Sequence, residues 1–239
     1  KGNDVTVEAV DALLGYLFKD DLRGIGNQKI AILGAGNLGA KLALKLLERG
    51  ADVTITRRNA EQLEKISEAL NLIKSQYTLA KVGWTTDNFR AAKNADILIG
   101  ATNGIPIITE EMIESLPPKG IIVDVGKGTL SLSAIKKAEK SKRSIYRLDV
   151  TSALCGLIKT LSMTDEILSK RMGRRKIGDL TIVAGGILAH DGEVVVDSVI
   201  SPRYVYGIAD GRGDFDRTVS RERLEKVLKK LSIAENHFG

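Results

Sequence analysis

A glycine-rich hexapeptide places the tightest constraint on how this chain folds. Gly34-Ala35-Gly36-Asn37-Leu38-Gly39 follows the apolar run Lys29–Leu33 and opens the stretch Asn37–Glu48, whose apolar residues recur at helical spacing. A strand that turns through G-x-G-x-x-G directly into a helix is typical of the first unit of a doubly wound parallel sheet. The sequence therefore predicts that such a sheet begins at Lys29.

The same alternation of strand and helix continues to about residue 150. The predicted strands carry almost no polar alternation, which indicates a parallel sheet that is covered on both faces. The chain is thus predicted to be α/β, with a doubly wound parallel (Rossmann) sheet and a leading helix at Asp4–Phe18. The further strands are expected at Asp52–Thr56, Ala80–Trp84, Asp96–Gly100, Ile121–Val125 and Ser144–Leu148. The further helices are expected at Ala60–Ile73, Asp87–Asn94, Thr109–Leu116 and Ser131–Lys140.

Beyond Asp149 the pattern changes, so residues 1–150 are expected to form the Rossmann domain and residues 151–239 a helical and hairpin extension that packs on it. A helix is predicted over Ala153–Met172, in two pieces that divide near Met163–Thr164. His190-Asp191-Gly192 predicts a hairpin turn between strands Leu180–Ala189 and Glu193–Ser198. The basic residues 170–176 are interpreted as a helix end and loop, residues 199–216 as loop, and Ser220–Leu231 as a closing helix.

Composition excludes several classes of protein. No apolar run approaches the roughly 18 residues of a membrane-spanning helix, and a single cysteine excludes a disulfide framework. The net charge of +6 suits anionic small molecules, whereas 4% aromatic residues leave few side chains for recognition of nucleic acid by base stacking. No cluster of residues has metal-ligand spacing, so no metal is expected. A cytoplasmic protein that handles a small molecule is expected.

The glycines have separate expected roles in binding a dinucleotide. Gly34 permits the tight turn, Gly36 allows the main chain to approach a pyrophosphate, and Gly39 allows the helix to pack closely on the strand. The amides of the loop and the positive end of the helix would then hold the anion. The alternative is that these glycines serve only the turn between strand and helix.

The end of the second strand predicts which dinucleotide binds. An NAD site usually has Asp or Glu there, whereas this chain has Thr56-Arg57-Arg58. A guanidinium matches a 2′-phosphate in charge and geometry and offers little to a 2′-hydroxyl. NADP is therefore favoured over NAD, with the alternative that an arginine merely caps or solvates the turn.

Two further loops are expected to contact the cofactor, because ligands of such sheets lie outside the carboxyl ends of the strands. Ala101-Thr102-Asn103 follows one strand, and Val125-Gly126 ends the next. Their small residues would allow ribose and nicotinamide to lie against the main chain. Thr102 is a candidate to bond the ribose or the carboxamide, and ordinary loop chemistry is the alternative.

Together these motifs resemble the cofactor domain of the amino-acid-dehydrogenase-like group, which includes shikimate dehydrogenase, methylenetetrahydrofolate dehydrogenase and glutamyl-tRNA reductase. The resemblance rests on Gly34–Gly39, on the Thr-Arg-Arg turn, on Ala-Asp-Ile-Leu-Ile-Gly-Ala-Thr at 95–102 and on Val-Asp-Val-Gly at 123–126. It covers roughly residues 1–150. It implies an NADP-dependent dehydrogenase or reductase whose substrate groups come from a separate domain, mostly upstream, that this chain does not contain.

The catalytic residues are harder to assign. Lys127, in a Gly-Lys-Gly loop, is a candidate proton donor, with a solvent-facing lysine as the alternative. Gly2-Asn3-Asp4 resembles the motif that supplies the catalytic aspartate of shikimate dehydrogenases, which makes Asp4 a candidate, with helix capping as its alternative.

Four functions remain open at this point. They are hydride transfer to or from a small polar metabolite, a reductase related to the glutamyl-tRNA enzymes, an NAD-using hydrolase without net redox chemistry, and a sensor or subunit that binds NADP without catalysis. A homodimer is expected as the usual state of a soluble enzyme.

Overall fold

The computed structural model describes residues 2–233, which form two compact units that divide between Gly156 and Leu157. The N-terminal unit, up to Gly156, alternates helix and strand. Its elements are α1 (Gly2–Leu17), β1 (Lys29–Leu33), α2 (Asn37–Glu48), β2 (Asp52–Thr56), α3 (Ala60–Ile73), β3 (Val82–Thr85), α4 (Asn88–Ala92), β4 (Ile97–Gly100), α5 (Glu110–Ser115), β5 (Ile121–Asp124), α6 (Leu132–Lys140) and β6 (Ser144–Arg147).

The six strands form one parallel sheet in the order β3-β2-β1-β4-β5-β6. The order reverses at β1, since the chain first extends the sheet towards β3 and then returns to add β4 on the other side of β1. The predicted doubly wound Rossmann fold is therefore confirmed. A crevice at the reversal, beyond the carboxyl ends of β1 and β4, is where such sheets bind their ligands.

Each face of this sheet is covered by its own hydrophobic cluster. Ile30 and Ile32 of β1 pack among side chains of α1, α2 and α3, whereas Ala31 and Leu33 pack among side chains of α4, α5 and α6. Successive residues of a strand point to opposite faces, so every position of these strands needs an apolar side chain. The continuous apolar runs in the sequence have this origin.

The C-terminal unit, from Leu157, contains a smaller mixed sheet and a helix. The helix α7 (Thr151–Lys170) begins before the division and continues beyond it. The other elements are β7 (Gly173–Ile177), β8 (Leu180–Ala184), β9 (Val194–Val196), β10 (Val205–Ile208) and α8 (Arg221–Leu231). The sheet has the order β10-β9-β8-β7, and Val227 and Leu228 of α8 share its main hydrophobic cluster.

Two predictions about the pairing of this sheet are wrong. The predicted hairpin is absent, because β8 and β9 pair in parallel, and the antiparallel hairpin joins β7 to β8 instead. Gly178, with φ +61°, lies in its turn. The basic residues Arg174–Lys176 therefore belong to the strand β7, where they are exposed. The buried apolar residues of this hairpin are those of β8.

The remaining corrections concern continuity. The predicted loop 199–216 contains β10, and α7 is one unbroken helix across Met163–Thr164. Residues 163 and 164 keep the helix because neither is Gly or Pro, the usual cause of a break. None of the helices within residues 2–233 combines the length and the hydropathy that crossing a bilayer requires. The division of the sequence into domains at 150 stays a prediction.

Candidate dinucleotide site

The three glycines of the loop after β1 meet different surroundings. Gly34 has φ +115°, a conformation that favours glycine. A Cβ atom on Gly39 would lie 2.0 Å from the carbonyl oxygen of Gly34, so only glycine fits there. A Cβ atom on Gly36 would meet nothing within 4 Å. Gly34 and Gly39 thus shape the turn, whereas the space beside Gly36 is open to a ligand.

The first amides of the loop already have partners within the protein. The amides of Gly34 and Ala35 both donate to the carbonyl oxygen of Thr56, at 3.2 and 2.7 Å, and the Gly36 amide donates to the carbonyl of Gly34. The helical ladder of α2 begins with the amide of Ala40, which donates to Gly36. Because the first amides of a helix have no partner within it, the donors for an anion are those of Asn37, Leu38 and Gly39.

Helix α2 differs from its neighbours at this end. The helices α3, α4, α5, α6 and α8 each begin with a side chain that accepts a bond from a first-turn amide: Asn59, Asp87, Thr109, Ser131 and Ser220. The cap of α2 is Gly36, which has no side chain to do this. The positive end of α2 is therefore left for an external anion, and open space lies beside it.

The turn after β2 is tied to the glycine loop from the side. Thr56 is 1% exposed, and its hydroxyl donates to Asn88 Oδ1 at 2.7 Å. Arg57 Nη1 donates to the carbonyl oxygen of Ala35 at 3.1 Å, which keeps this guanidinium beside the loop. Arg58 is exposed. The arrangement leaves further guanidinium donors for an anionic group beside the second strand, where a ribose phosphate would lie.

The loops after β4 and β5, residues 101–108 and 125–131, lie against each other. We call them the β4 loop and the β5 loop. The Ala101 amide donates to the carbonyl of Leu33, and the Val125 amide donates to the carbonyl of Gly100. The Thr102 hydroxyl donates to Ile105 within its own loop, at 3.1 Å. This bond is a local role for Thr102, beside the predicted contact with ribose or carboxamide.

The β5 loop is held by a buried carboxylate that ends β5. Asp124 Oδ2 accepts from the Gly128 amide at 2.8 Å, and Oδ1 accepts from the amide and the hydroxyl of Thr129 at 3.2 and 2.8 Å. Burial raises the pKa of the Asp124 carboxyl, but these hydrogen bonds, together with the charge of Arg147, outweigh it and bring the pKa below its usual value. Asp124 is therefore ionised at neutral pH.

The remaining predicted site residues are at the surface. Asn103 and Gly126 are exposed and partly exposed, respectively. Lys127 is exposed at the tip of the β5 loop with φ +59°. Asp4 lies in the first turn of α1, where Oδ1 accepts from Lys41 Nζ of α2 at 2.7 Å. This ion pair gives Asp4 a role in joining two helices.

Sequence reasoning missed three residues that shape the site: Asn88, Asp124 in its role as an acceptor, and Thr129. Asn88 contacts Thr56 on a distant segment, and Thr129 reaches the β4 loop through its carbonyl oxygen, so no local motif marks either residue. The bond between Asp124 and Thr129 lies within the turn after β5, where no known motif marks it. Within residues 2–233 no group of three His, Cys, Asp or Glu side chains is arranged to hold a metal ion.

Comparison with known proteins shows which families these loops resemble. Residues 29–128 match the family described as "NADP oxidoreductase coenzyme F420-dependent". The chain is 32% identical over 105 residues to glycerol-3-phosphate dehydrogenase [NAD(P)+] of Leptospira biflexa, a match that covers 42% of this chain and 32% of the relative. It is 29% identical over 174 residues to glutamyl-tRNA reductase of Caldivirga maquilingensis, covering 67% of this chain and 40% of the relative.

A solved structure with a similar fold is the A chain of dipicolinate synthase from Bacillus subtilis, with a TM-score of 0.47 and 21% identity, covering 67% of this chain and 53% of that one. The chain spans about a third of the length of the curated relatives. The expected resemblance to dinucleotide-dependent dehydrogenases is confirmed. Residues 29–128, with their open helix end and glycine loop, form a Rossmann domain similar to the NAD(P)-binding domains of oxidoreductases.

Proposed function

We propose that this chain is the cofactor-binding part of an NADP-dependent dehydrogenase or reductase that acts on a small polar metabolite, of the shikimate or methylenetetrahydrofolate dehydrogenase type. The observation that carries the proposal is the uncapped start of α2 beside the arginine-bearing turn of β2. The amides of residues 37–39 would bind the diphosphate, and Arg57 and Arg58 would bind the 2′-phosphate.

The bound nicotinamide would supply the hydride, and the chain would supply position and a proton. The main chain of the β4 and β5 loops would form one wall for the ring. Lys127 Nζ is the group we propose for proton transfer, because it is exposed at the tip of the β5 loop and no ion pair is described for it within residues 2–233. Asp4 is the weaker proposal, since it contacts Lys41.

A reductase related to glutamyl-tRNA reductase is the second candidate. The alignment with the Caldivirga maquilingensis protein covers 67% of the chain, which is more than the range 29–128 alone. This extent supports a relationship that continues beyond the cofactor domain. The NAD-using hydrolase and the sensor without catalysis are the outcomes that would follow if cofactor binds but no hydride transfer occurs.

We further propose that the groups that recognise the substrate lie outside the cofactor domain, since the match covers only 32% of the glycerol-3-phosphate dehydrogenase chain. We place the protein in the cytoplasm, where the exposed thiol of Cys155 would stay reduced. A homodimer is the assembly we propose, on the general prevalence of two-fold symmetry alone.

Calorimetric titration with NADPH and NADH tests the cofactor assignment. We expect NADPH to bind at least about tenfold more tightly, equivalent to roughly 1.4 kcal/mol. Arg57→Ala and Arg58→Ala should each reduce this preference, and the double variant should remove it. Arg90→Ala is the matched control, because Arg90 lies with Lys29 and Asp52 at the amino ends of the strands. Equal affinities for the two cofactors, or an unchanged preference in the double variant, would overturn the assignment.

A further inference from the structure

The β4 and β5 loops are joined by a chain of hydrogen bonds that starts at Asp124. The carboxylate fixes Thr129 through its amide and its hydroxyl. The carbonyl oxygen of Thr129 then accepts from the amides of Ile107 and Ile108 in the β4 loop, at 2.8 and 2.9 Å. Asp124 therefore acts on both loops, although its side chain bonds directly to only one of them.

Close packing leaves this junction little freedom to shift. A Cβ atom on Gly100 would lie 2.0 Å from the Thr129 hydroxyl oxygen, and one on Gly126 would lie 1.7 Å from the carbonyl oxygen of Thr102. The Gly104 amide also donates to the carbonyl of Gly126 at 3.0 Å. The loops can approach this closely only because Gly100 and Gly126 have no side chains, and these contacts set the distance between the loops.

Both oxygens of the Asp124 carboxylate are used to hold the β5 loop. Asp124 is 7% exposed and Thr129 is fully buried, and both oxygens of Asp124 accept hydrogen bonds from the β5 loop. An ionised acceptor that is engaged in this way makes strong bonds and is poorly placed to exchange a proton with a ligand. A positioning role follows, in contrast to the exposed Lys127 on the same loop.

We propose that Asp124 is a positioning residue for the nicotinamide half of the cofactor: through Thr129 it holds the β4 and β5 loops at the spacing that the ring requires. The adenosine half lies at the other side of the crevice, where Thr56, Arg57 and Ala35 form a separate set of contacts. This inference rests on the proposed function, because it assumes that a nicotinamide dinucleotide occupies the crevice.

Two ligands separate the halves of the site. NADPH carries the nicotinamide ring, and 2′-phospho-ADP-ribose carries the same adenosine and diphosphate groups without it. We expect Asp124→Asn to weaken NADPH about tenfold, the worth of one charge-assisted hydrogen bond, because the new NH₂ group faces the Gly128 amide. The affinity for 2′-phospho-ADP-ribose should stay within about twofold of wild type. Hydrogen exchange of the Gly128 and Thr129 amides, measured without ligand, should become faster.

Matched variants keep the test decisive if Asp124→Asn folds poorly. Thr129→Val preserves the shape but removes the hydroxyl, and it should weaken NADPH selectively, whereas Thr129→Ser should restore it. Asp96→Asn is the control, since Asp96 Oδ2 accepts from the Lys29 amide at the opposite edge of the sheet. An equal loss for both ligands, or no loss for either, would overturn the positioning role. A wild-type protein that binds neither ligand would instead overturn the proposed function.

Discussion

The two units of this protein build sheets by opposite means. In the N-terminal unit, parallel strands such as β4 are buried at every position, and a hydrophobic cluster covers each face. In the C-terminal unit, β7 carries three exposed charged residues in succession, and one main cluster supports a mixed sheet. A strand buried on both faces needs apolar residues throughout, whereas an edge strand does not. The comparison teaches that a local sequence pattern identifies all strands of the first kind of sheet but misses an exposed edge strand such as β7 in the second.

The glycines are of two kinds, and each unit has both, since Gly207 is closely approached by the Phe215 ring and Gly24 has φ +55° with open space around it. In the N-terminal unit, Gly39, Gly100 and Gly126 are required by the close approach of other atoms. In the C-terminal unit, Gly178 has φ +61° and open space around it, so glycine is favoured there by the main-chain conformation alone. The first kind of glycine permits packing between segments, and the second permits a turn.

The largest effect should come from Gly39→Ala, which tests the packing role directly. Its methyl group would overlap the carbonyl oxygen of Gly34 at 2.0 Å, so we expect a loss of more than about 3 kcal/mol in the free energy of unfolding. Gly178→Ala, in the C-terminal unit, should cost only about 1 kcal/mol. Urea denaturation of both variants measures this difference, and similar costs would contradict the contrast between the two kinds of glycine.

Gly36→Ala completes that series. It should unfold within about 1 kcal/mol of wild type, because the added methyl group meets no atom of the protein. The same variant should bind NADPH at least about tenfold more weakly, since the methyl group occupies the space beside the open helix end. Wild-type affinity in this variant would mean that no diphosphate lies against Gly36.

A smaller effect is expected from Glu193→Gln, which tests a polar tie in the C-terminal unit. Glu193 accepts from Arg174 Nε at 2.8 and 3.1 Å and from the His190 amide at 2.8 Å. Burial raises the pKa of the Glu193 carboxyl, but these bonds outweigh it and the pKa lies below its usual value. We expect the substitution to cost about 1–2 kcal/mol at neutral pH.

The sign of the pH dependence follows from that lowered pKa. The stabilisation by ionised Glu193 is complete above the pKa of a glutamate side chain in the unfolded chain, about 4.3. It is lost as the pH falls through the lower pKa that Glu193 has in the folded protein. Denaturation at several pH values should therefore show the gap between wild type and variant closing towards acid. Glu166→Gln is the control, because Glu166 is half exposed at 3.7 Å from Arg171. A gap that widens in acid would contradict the role of the ionised form.

The smallest effect should come from Asp4→Asn. Its ion pair with Lys41 joins two side chains that are 55% and 46% exposed, and such pairs contribute less than about 1 kcal/mol. Affinity for NADPH should not change, because the pair joins α1 to α2 at the surface. Titration and urea denaturation measure both quantities, and a changed affinity would mean that Asp4 contacts the cofactor.

The sequence predicted the N-terminal unit well because its information is local. The predicted strands Lys29–Leu33 and Asp52–Thr56 match the structure at both ends. In the C-terminal unit, Asp191-Gly192 predicted a hairpin from local turn chemistry, yet the flanking strands pair in parallel. The strand β10 was not predicted, because its Gly207 resembles a loop residue in the sequence. In the structure the ring of Phe215 packs against Gly207, and no local pattern reveals this contact.

The site divides in the same way. The glycines and arginines were recognisable from motifs, since their chemistry depends on neighbours in sequence. Asn88 and Thr129 were not, because Asn88 bonds to Thr56 and the Thr129 carbonyl bonds to Ile107 and Ile108, all on other segments. Nor could the motif reveal that the amides of Gly34 and Ala35 donate to a carbonyl of the protein, which leaves those of residues 37–39 as the proposed donors to an anion.

The carbonyl of Thr56 has a practical consequence for anyone redesigning this protein. This oxygen accepts hydrogen bonds from the glycine loop, and every amino acid has such a main-chain atom. Substitutions at residues 57 and 58 would therefore leave these hydrogen bonds in place. In the binding mode that we propose, side chains alone would therefore decide between a phosphorylated and a plain ribose. A change of preference between NADP and NAD would then need substitutions at residues 57 and 58 only, with the main chain of the glycine loop unchanged.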